Sequence, residues 1–186
     1  MRSLLLAGGR SSRMGRDKAL IKIDGVSMIE RAANTLAAAN LEPIRIAVAE
    51  PEDVEQYGSL IGTELDIEWV LDSIMHAGPI DAIEEALLDL KCEDGLLQLA
   101  TVDYPWVSSD LFVSLLERLG EDDCLIMPHD GERGHPLLSL IRTEAVLEMI
   151  DGDRRPLRVQ FTETKHSILV EDPAVLLNVN RPEDLQ

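Results

Sequence analysis

The sequence predicts a three-layer α/β/α fold around a mostly parallel sheet. Short apolar runs alternate with amphipathic stretches along the first two-thirds of the chain, the order of repeated βα units. Hydrophobic residues make up 45% of the 186 residues, enough for a sizeable core, whereas aromatics make up only 3%. The core is therefore aliphatic, as suits strands buried on both faces. The length fits one domain, spanning 1–186.

Leu4–Ala7 reads as the first strand. Ser27–Ala39 reads as a helix with Met28, Ala32 and Leu36 on one face. Ile44–Val48 is the second strand. Pro51–Ile61 is a helix opened by proline and acids. Ile67–Leu71 is the third strand. Pro79–Leu90 is a helix whose Ile80, Ile83, Leu87 and Leu90 form one stripe. Leu96–Thr101 is the fourth strand. Ser108–Leu119 is a helix capped by Ser108 or Ser109. Cys124–Pro128 and Leu137–Ile141 are further strands. The last third is less regular: "DGDRRPLRVQFTETKH" is polar and mixed, and "SILV" and "LLNVN" read as short strands.

The net charge of −18 argues against non-specific binding to nucleic acid or anionic membrane. Only four lysines are present (Lys18, Lys22, Lys91 and Lys165), so the acidic surface reads either as high-salt adaptation or as a device for solubility. Cys92 and Cys124 have no metal-ligand spacing and read as free thiols in a reducing compartment. Arg2 and the short apolar run after it are followed at once by glycines, unlike a signal peptide. No stretch approaches the roughly 20 apolar residues of a membrane span. The expected location is the cytoplasm.

Against this acidic background, "LLLAGGRSSRMGRDKALIKI" gathers Arg10, Arg13, Arg16 and Lys18 within nine residues, four of the chain's seventeen basic groups. An even spread would place about one there. It is not a Walker A loop, because five residues separate Gly9 from Gly15 and Arg16-Asp17-Lys18 follows. It is not G-x-G-x-x-G either. Gly8 and Gly9 let backbone N–H groups approach an anion, and the basic groups supply charge, so the loop suits phosphates. The stretch resembles the N-terminal signature of the MobA-like nucleotidyltransferases, L-A-G-G-x-S-x-R-M-G-x-D-K, over thirteen contiguous positions, Leu6–Lys18. That resemblance implies a Rossmann-like sheet of the nucleotide-diphospho-sugar transferase type. It implies transfer of GMP from GTP to the terminal phosphate of molybdopterin, with release of pyrophosphate. Leu6, Ala7 and Gly8 would meet the guanine and ribose. Gly9 to Gly15, with Arg10, Ser11, Ser12 and Arg13, would wrap the triphosphate. Lys18 would reach the phosphates as pyrophosphate leaves.

Asp103, in "LQLATVDYPWVSSDL", follows a buried strand at the carboxyl edge, where α/β sheets bind ligands. It is the candidate Mg2+ ligand, since Mg2+ takes one or two carboxylates plus phosphate oxygens. The segment resembles the family's C-D-x-P-x-x-x-x-D-L, with Val102 for Cys. Lys18, Arg13 and Asp103 form the expected catalytic set. "DSIMHAGPIDAIEEAL" resembles acid-x(5)-G-P-L-A-G-I. It matches at Gly78 and Pro79 and departs at Asp81-Ala82, where Ala-Gly is usual. Asp72 can accept hydrogen bonds from the N1–H and amine of guanine. Ala49-Glu50 stands where the family places Asn. "RGHPLLSLI" lies between the guanylyl- and cytidylyltransferase patterns, and its His135 is either an acceptor contact or a turn residue. "NVNRPEDL" resembles N-x-N-T-P-E-D-L. Asn180 with Glu183 forms a capping box, and Asn178 is the better candidate to reach the site.

No Ser-His-Asp or Cys-His constellation is expected, because an anionic acceptor phosphate attacks directly. Alternatives are cytidylyl transfer to molybdopterin, guanylyl transfer to another phosphorylated cofactor precursor, and non-catalytic nucleotide binding. A protein delivering the molybdopterin is a possible partner.

Overall fold

A computed structural model describes residues 1–7, 17–72, 78–89 and 95–185. The glycine-rich loop, with Gly8, Gly9, Arg10, Ser11, Ser12, Arg13 and Gly15, lies outside the described residues, as do Cys92 and Leu90.

The chain runs β1 (Arg2–Leu6), a 3-10 turn (Lys18–Leu20), the small hairpin β2 (Lys22–Ile23) and β3 (Val26–Ser27), then α1 (Met28–Ala38). It continues through β4 (Ile44–Val48), α2 (Pro51–Gly58), β5 (Ile67–Leu71), α3 (Pro79–Leu88), β6 (Leu96–Thr101) and α4 (Ser109–Arg118). Then come β7 (Leu125–His129), a 3-10 turn (Pro136–Leu138), β8 (Leu140–Arg142), α5 (Thr143–Ile150), α6 (Leu157–Glu163), β9 (His166–Val170) and a 3-10 turn (Pro182–Leu185). Seven strands form one sheet in the order β5-β4-β1-β6-β8-β7-β9. Only β8 runs against its neighbours.

Alternation along the strands divides the core in two. Leu5 of β1 and Ala100 of β6 face α1, α2 and α4, whereas Leu4, Leu6, Leu97 and Leu99 face α3, α5 and α6. These are the two helical layers of the expected three-layer fold. The chain winds outward from β1 to β4 and β5 and then returns to β6 on the other side of β1. That reversal opens a crevice at the carboxyl ends of β1 and β6, the usual place for a ligand.

β4, β5 and β6 have the predicted ends. Ser27 and Ser108 cap α1 and α4, accepting from the N–H of Glu30 and Leu111. Several expectations are corrected. In α1 the fully buried residues are Met28, Ile29, Ala33 and Leu36, while Ala32 is half-buried. α2 stops at Gly58 rather than Ile61, because Leu60 and Ile61 both turn back to donate to the Tyr57 carbonyl. Leu137–Ile141 is not one strand: Pro136 opens a 3-10 turn, Ser139 N–H bonds Pro136 O, and ladder pairing starts at Leu140. "LLNVN" is irregular; Leu176 and Val179 are buried, which gives it a strand-like pattern, but it joins no sheet. The mixed stretch after Asp151 contains α6, whose buried Leu157, Gln160 and Phe161 fall at helical spacing between charged residues. Cys124 is a free, half-buried thiol. Among the described residues, no helix is long and apolar enough to cross a membrane.

Candidate active site

Lys18 and Asp103 meet at the crevice. Asp103 follows the buried end of β6, where Val102 N–H bonds Leu6 O and ties the two central strands together. Lys18 opens the 3-10 turn after the glycine-rich loop. Its Nζ donates to Asp103 Oδ1 at 3.0 Å and to Asn180 Oδ1 at 3.1 Å. The pair is partly shielded, with side-chain exposures of 14% for Lys18 and 27% for Asp103.

Asp17 sets the position of Lys18. One of its oxygens accepts the Ala19 N–H at 2.9 Å and caps the turn, and the other accepts the Tyr57 hydroxyl at 2.5 Å. Tyr57 comes from α2 and is almost fully buried. Burial first, and the Asp17 carboxylate second, push its pKa far above the ordinary tyrosine value. Sequence reasoning missed both partners. The Asp17-Lys18-Ala19 capping pattern was readable, but the contact with Tyr57 spans 40 residues and left no local signal.

The C-terminal segment closes the other side. Val179 N–H donates to the Asp103 carbonyl at 2.9 Å. Asn180, not Asn178, places its side chain on Lys18. The expected capping box with Glu183 is replaced, because Asp184 accepts the N–H groups of both Asn180 and Arg181 at 2.8 Å. These two bonds hold the Asp184 carboxyl below its usual range. Asn178 is half-buried and lies beside the Tyr104 hydroxyl. His135 is 2% exposed, with one ring nitrogen 3.1 Å from the Tyr104 hydroxyl and the other 3.0 Å from Asp130 Oδ2. It is therefore not an acceptor contact, and burial holds its pKa below the ordinary value.

Leu6 and Ala7 have their side chains in the two cores, and Ala7 N–H bonds Ala47 O. Any nucleotide contact from them falls to the backbone. Asp72 follows the edge strand β5 directly, with its N–H on Val48 O. It shares the carboxyl edge with Asp103 but stands three strands away in the sheet. Gly78, with φ +110°, and Pro79 open α3 at the same edge. They line an open cavity of about 440 Å³ together with Asp81, Leu137, Arg154 and Arg158. Asp81, the departure from the family pattern, lies 3.6 Å from Arg154, which also bonds Glu84 at 2.7 Å. Arg158 makes no ion pair among the described residues.

A lysine–carboxylate pair stands where two central parallel strands end, on a sheet with one reversed strand, a position that suits a phosphate-bearing ligand. The chain belongs to the MobA-like NTP transferase domain family, whose model matches residues 3–166. It is similar to a molybdenum cofactor guanylyltransferase of Photobacterium profundum, with 28% identity over 189 residues covering 98% of this chain and 92% of the relative. Among solved structures, a molybdopterin-guanine dinucleotide biosynthesis protein A from Archaeoglobus fulgidus superposes with a TM-score of 0.71 at 19% identity, covering 100% of this chain and 95% of its own. The 4-diphosphocytidyl-2C-methyl-D-erythritol synthase of Anaerococcus prevotii superposes with a TM-score of 0.76 at 11% identity, covering 99% and 92%. These structural matches share the fold. The chain is an enzyme of the nucleotidyltransferase class.

Proposed function

We propose that this enzyme transfers GMP from GTP to molybdopterin and releases pyrophosphate, acting in the cytoplasm as one domain over 1–186. The observation that carries this reading is the Lys18–Asp103 pair at the crevice between β1 and β6. The Photobacterium relative, named a molybdenum cofactor guanylyltransferase and matched along nearly its whole length, supports the choice of base and acceptor.

The bond that breaks joins the α- and β-phosphates of GTP. The bond that forms joins the α-phosphorus to an oxygen of the acceptor phosphate, which is already anionic and needs no base to activate it. Lys18 turns from Asp103 toward the phosphates and offsets the charge of the departing pyrophosphate. Arg13 and the loop Gly8, Gly9, Arg10, Ser11, Ser12 and Gly15 hold the triphosphate. Asp72 accepts from the guanine edge, with Gly78 and Pro79 beside it. Asn178 and Asn180 border the reacting phosphates.

Asp103 fits a Mg2+ ligand. It is a hard oxygen donor, partly open, at the strand end. Among the described residues no cluster of three potential ligands forms, so phosphate oxygens and water would complete the shell, as Mg2+ prefers. Mg2+ bound there would offset charge on the attacked α-phosphate. The open cavity at the start of α3 suits the acceptor, with Arg158, which has no ion pair among the described residues, as the cation for its phosphate. A protein that delivers molybdopterin would approach this same edge.

The test is pyrophosphate release with each of the four nucleoside triphosphates, Mg2+ and molybdopterin. Release with GTP alone is expected. Release with CTP alone makes the enzyme a cytidylyltransferase. Release with none overturns the proposal.

A further inference from the structure

A chain of hydrogen bonds adjoins the Lys18–Asp103 pair without containing either residue. Its head is Asp130, in the turn after β7. Asp130 Oδ1 accepts the N–H groups of Glu132 at 2.9 Å and Arg133 at 2.8 Å, and Oδ2 lies 3.0 Å from His135 Nε2. His135 Nδ1 lies 3.1 Å from the Tyr104 hydroxyl, and the two rings meet edge to face at 5.4 Å. The Asn178 side chain lies beside the Tyr104 hydroxyl.

The direction of every link follows from the head. Asp130 is ionised, since the backbone N–H groups of Arg133 and Glu132 and then the imidazole hold its carboxyl well below the usual range. A carboxylate only accepts, so His135 Nε2 carries the proton. Burial keeps the ring neutral, so Nδ1 is a lone pair. The Tyr104 O–H must donate to it. The Tyr104 oxygen keeps its lone pairs for a neighbouring donor. Asn178 Oδ1 is buried and has no hydrogen-bond partner among the described residues. Tyr104 and Asn178 both adjoin the site. Tyr104 follows Asp103 directly. Asn178 precedes Val179, whose N–H bonds the Asp103 carbonyl, and Asn180, whose oxygen bonds Lys18.

We propose that His135 is a positioning residue of nucleotidyl transfer: through Tyr104 and Asn178 it sets the 178–180 segment and so the placement of Asp103 and Lys18. This inference rests on the proposed transfer reaction. The discriminating variant is Asp130→Asn. It keeps an oxygen for the turn's two backbone N–H groups and places an amide N–H where Oδ2 stood. His135 Nε2 must then accept, and Nδ1 carries the proton and donates to Tyr104. The two bonds of His135 persist with their direction inverted, but the Tyr104 O–H loses its acceptor and Arg133 loses its ion pair with Oδ2.

The tautomer is read from two-bond 1H–15N spectra of the imidazoles, with His135→Gln used for assignment, and turnover is read from pyrophosphate release. In the wild type the Nε2–H form is expected at neutral pH. In Asp130→Asn the Nδ1–H form is expected, with kcat reduced about 10- to 100-fold, the usual cost of losing a partner behind a ligating group. The KM for nucleotide is expected to stay within about 2-fold. Tyr104→Phe breaks the chain in a near-isosteric way and is expected to show the same kcat loss, with a shifted Nδ1 resonance. Wild-type kcat in Asp130→Asn after the tautomer has switched, or in Tyr104→Phe, overturns the proposal. So does an Nδ1–H or doubly protonated ring in the wild type. If the wild type turns over no nucleotide, the proposed function fails on its own, and the wild-type tautomer still decides whether Asp130 directs the chain.

Discussion

Asp103 and Lys18 neutralise each other across 3.0 Å, yet the proposed reaction uses each as a separate charge once nucleotide arrives. Asp103→Asn keeps an oxygen for Lys18 and removes the negative charge that holds a cation. Its expected effect is a kcat loss of about 10²–10³, the size seen when one electrostatic contact to a transition state is removed; pyrophosphate release measures it, and turnover within a few-fold of wild type would remove Asp103 from the reaction. The tyrosines give a second prediction. The chain has only Tyr57 and Tyr104, and burial raises both above the ordinary tyrosine value of about 10. The unfolded chain loses those protons near pH 10 while the folded chain keeps them. Their contribution to stability is therefore complete below pH 10 and declines as pH rises further. Absorbance at 295 nm should show phenolate appearing above pH 10 in the folded protein, and both tyrosines ionising near pH 10 while the protein stays folded would contradict the burial of Tyr104 and the Asp17–Tyr57 contact.

β8 is the element that departs from a simple parallel sheet, and a buried polar residue anchors it. Gln98 of β6 is fully buried, and its Nε2 donates to the carbonyls of Leu99, Leu138 and Ser139 where the 3-10 turn enters β8. Gln98→Leu removes those donors, and the expected loss is about 1–3 kcal/mol, read from the urea midpoint; an unchanged midpoint would mean that the wedge holds without them. Gln98 also shows what sequence patterning can and cannot convey. β4, β5 and β6 were legible to the residue because each is an apolar run ended by a turn signal. A glutamine inside the run "LLQLAT" does not announce that it bonds carbonyls 40 residues on. α6 was hidden for a different reason: its core residues Leu157 and Phe161 are too few among charges to raise a helical period above the local polarity. The site divides the same way. Lys18 and Asp103 sit in contiguous motifs and were legible. Tyr57 and Asp130 act through contacts between distant segments, and no local period marks such pairs.

The whole molecule combines a net charge of −18 with a site that must hold a polyanion. Repulsion among its acids opposes the compact state, and salt screens it. Raising NaCl from about 0.01 M to about 1 M shortens the screening length from about 30 Å to about 3 Å, so the urea midpoint should rise across that range. A flat or falling midpoint would show that pairs such as Arg154–Glu84 and Arg45–Asp89 already offset the repulsion. Topology then decides where the scarce positive charge is useful. The reversal of winding at β1 brings Lys18 and Asp103 to one crevice, with the cavity at α3 on the same edge. The central claim is that this crevice transfers a nucleotidyl group and that Lys18 drives the step. Its most direct measurement is a single-turnover reaction with α-phosphate-labelled GTP, Mg2+ and molybdopterin, run on the wild type and on Lys18→Ala. The label should move into a molybdopterin dinucleotide in the wild type and move about 10²–10³ times more slowly in Lys18→Ala. Label that stays in GTP or appears as free GMP in the wild type, or that transfers equally fast without Lys18, would contradict the account.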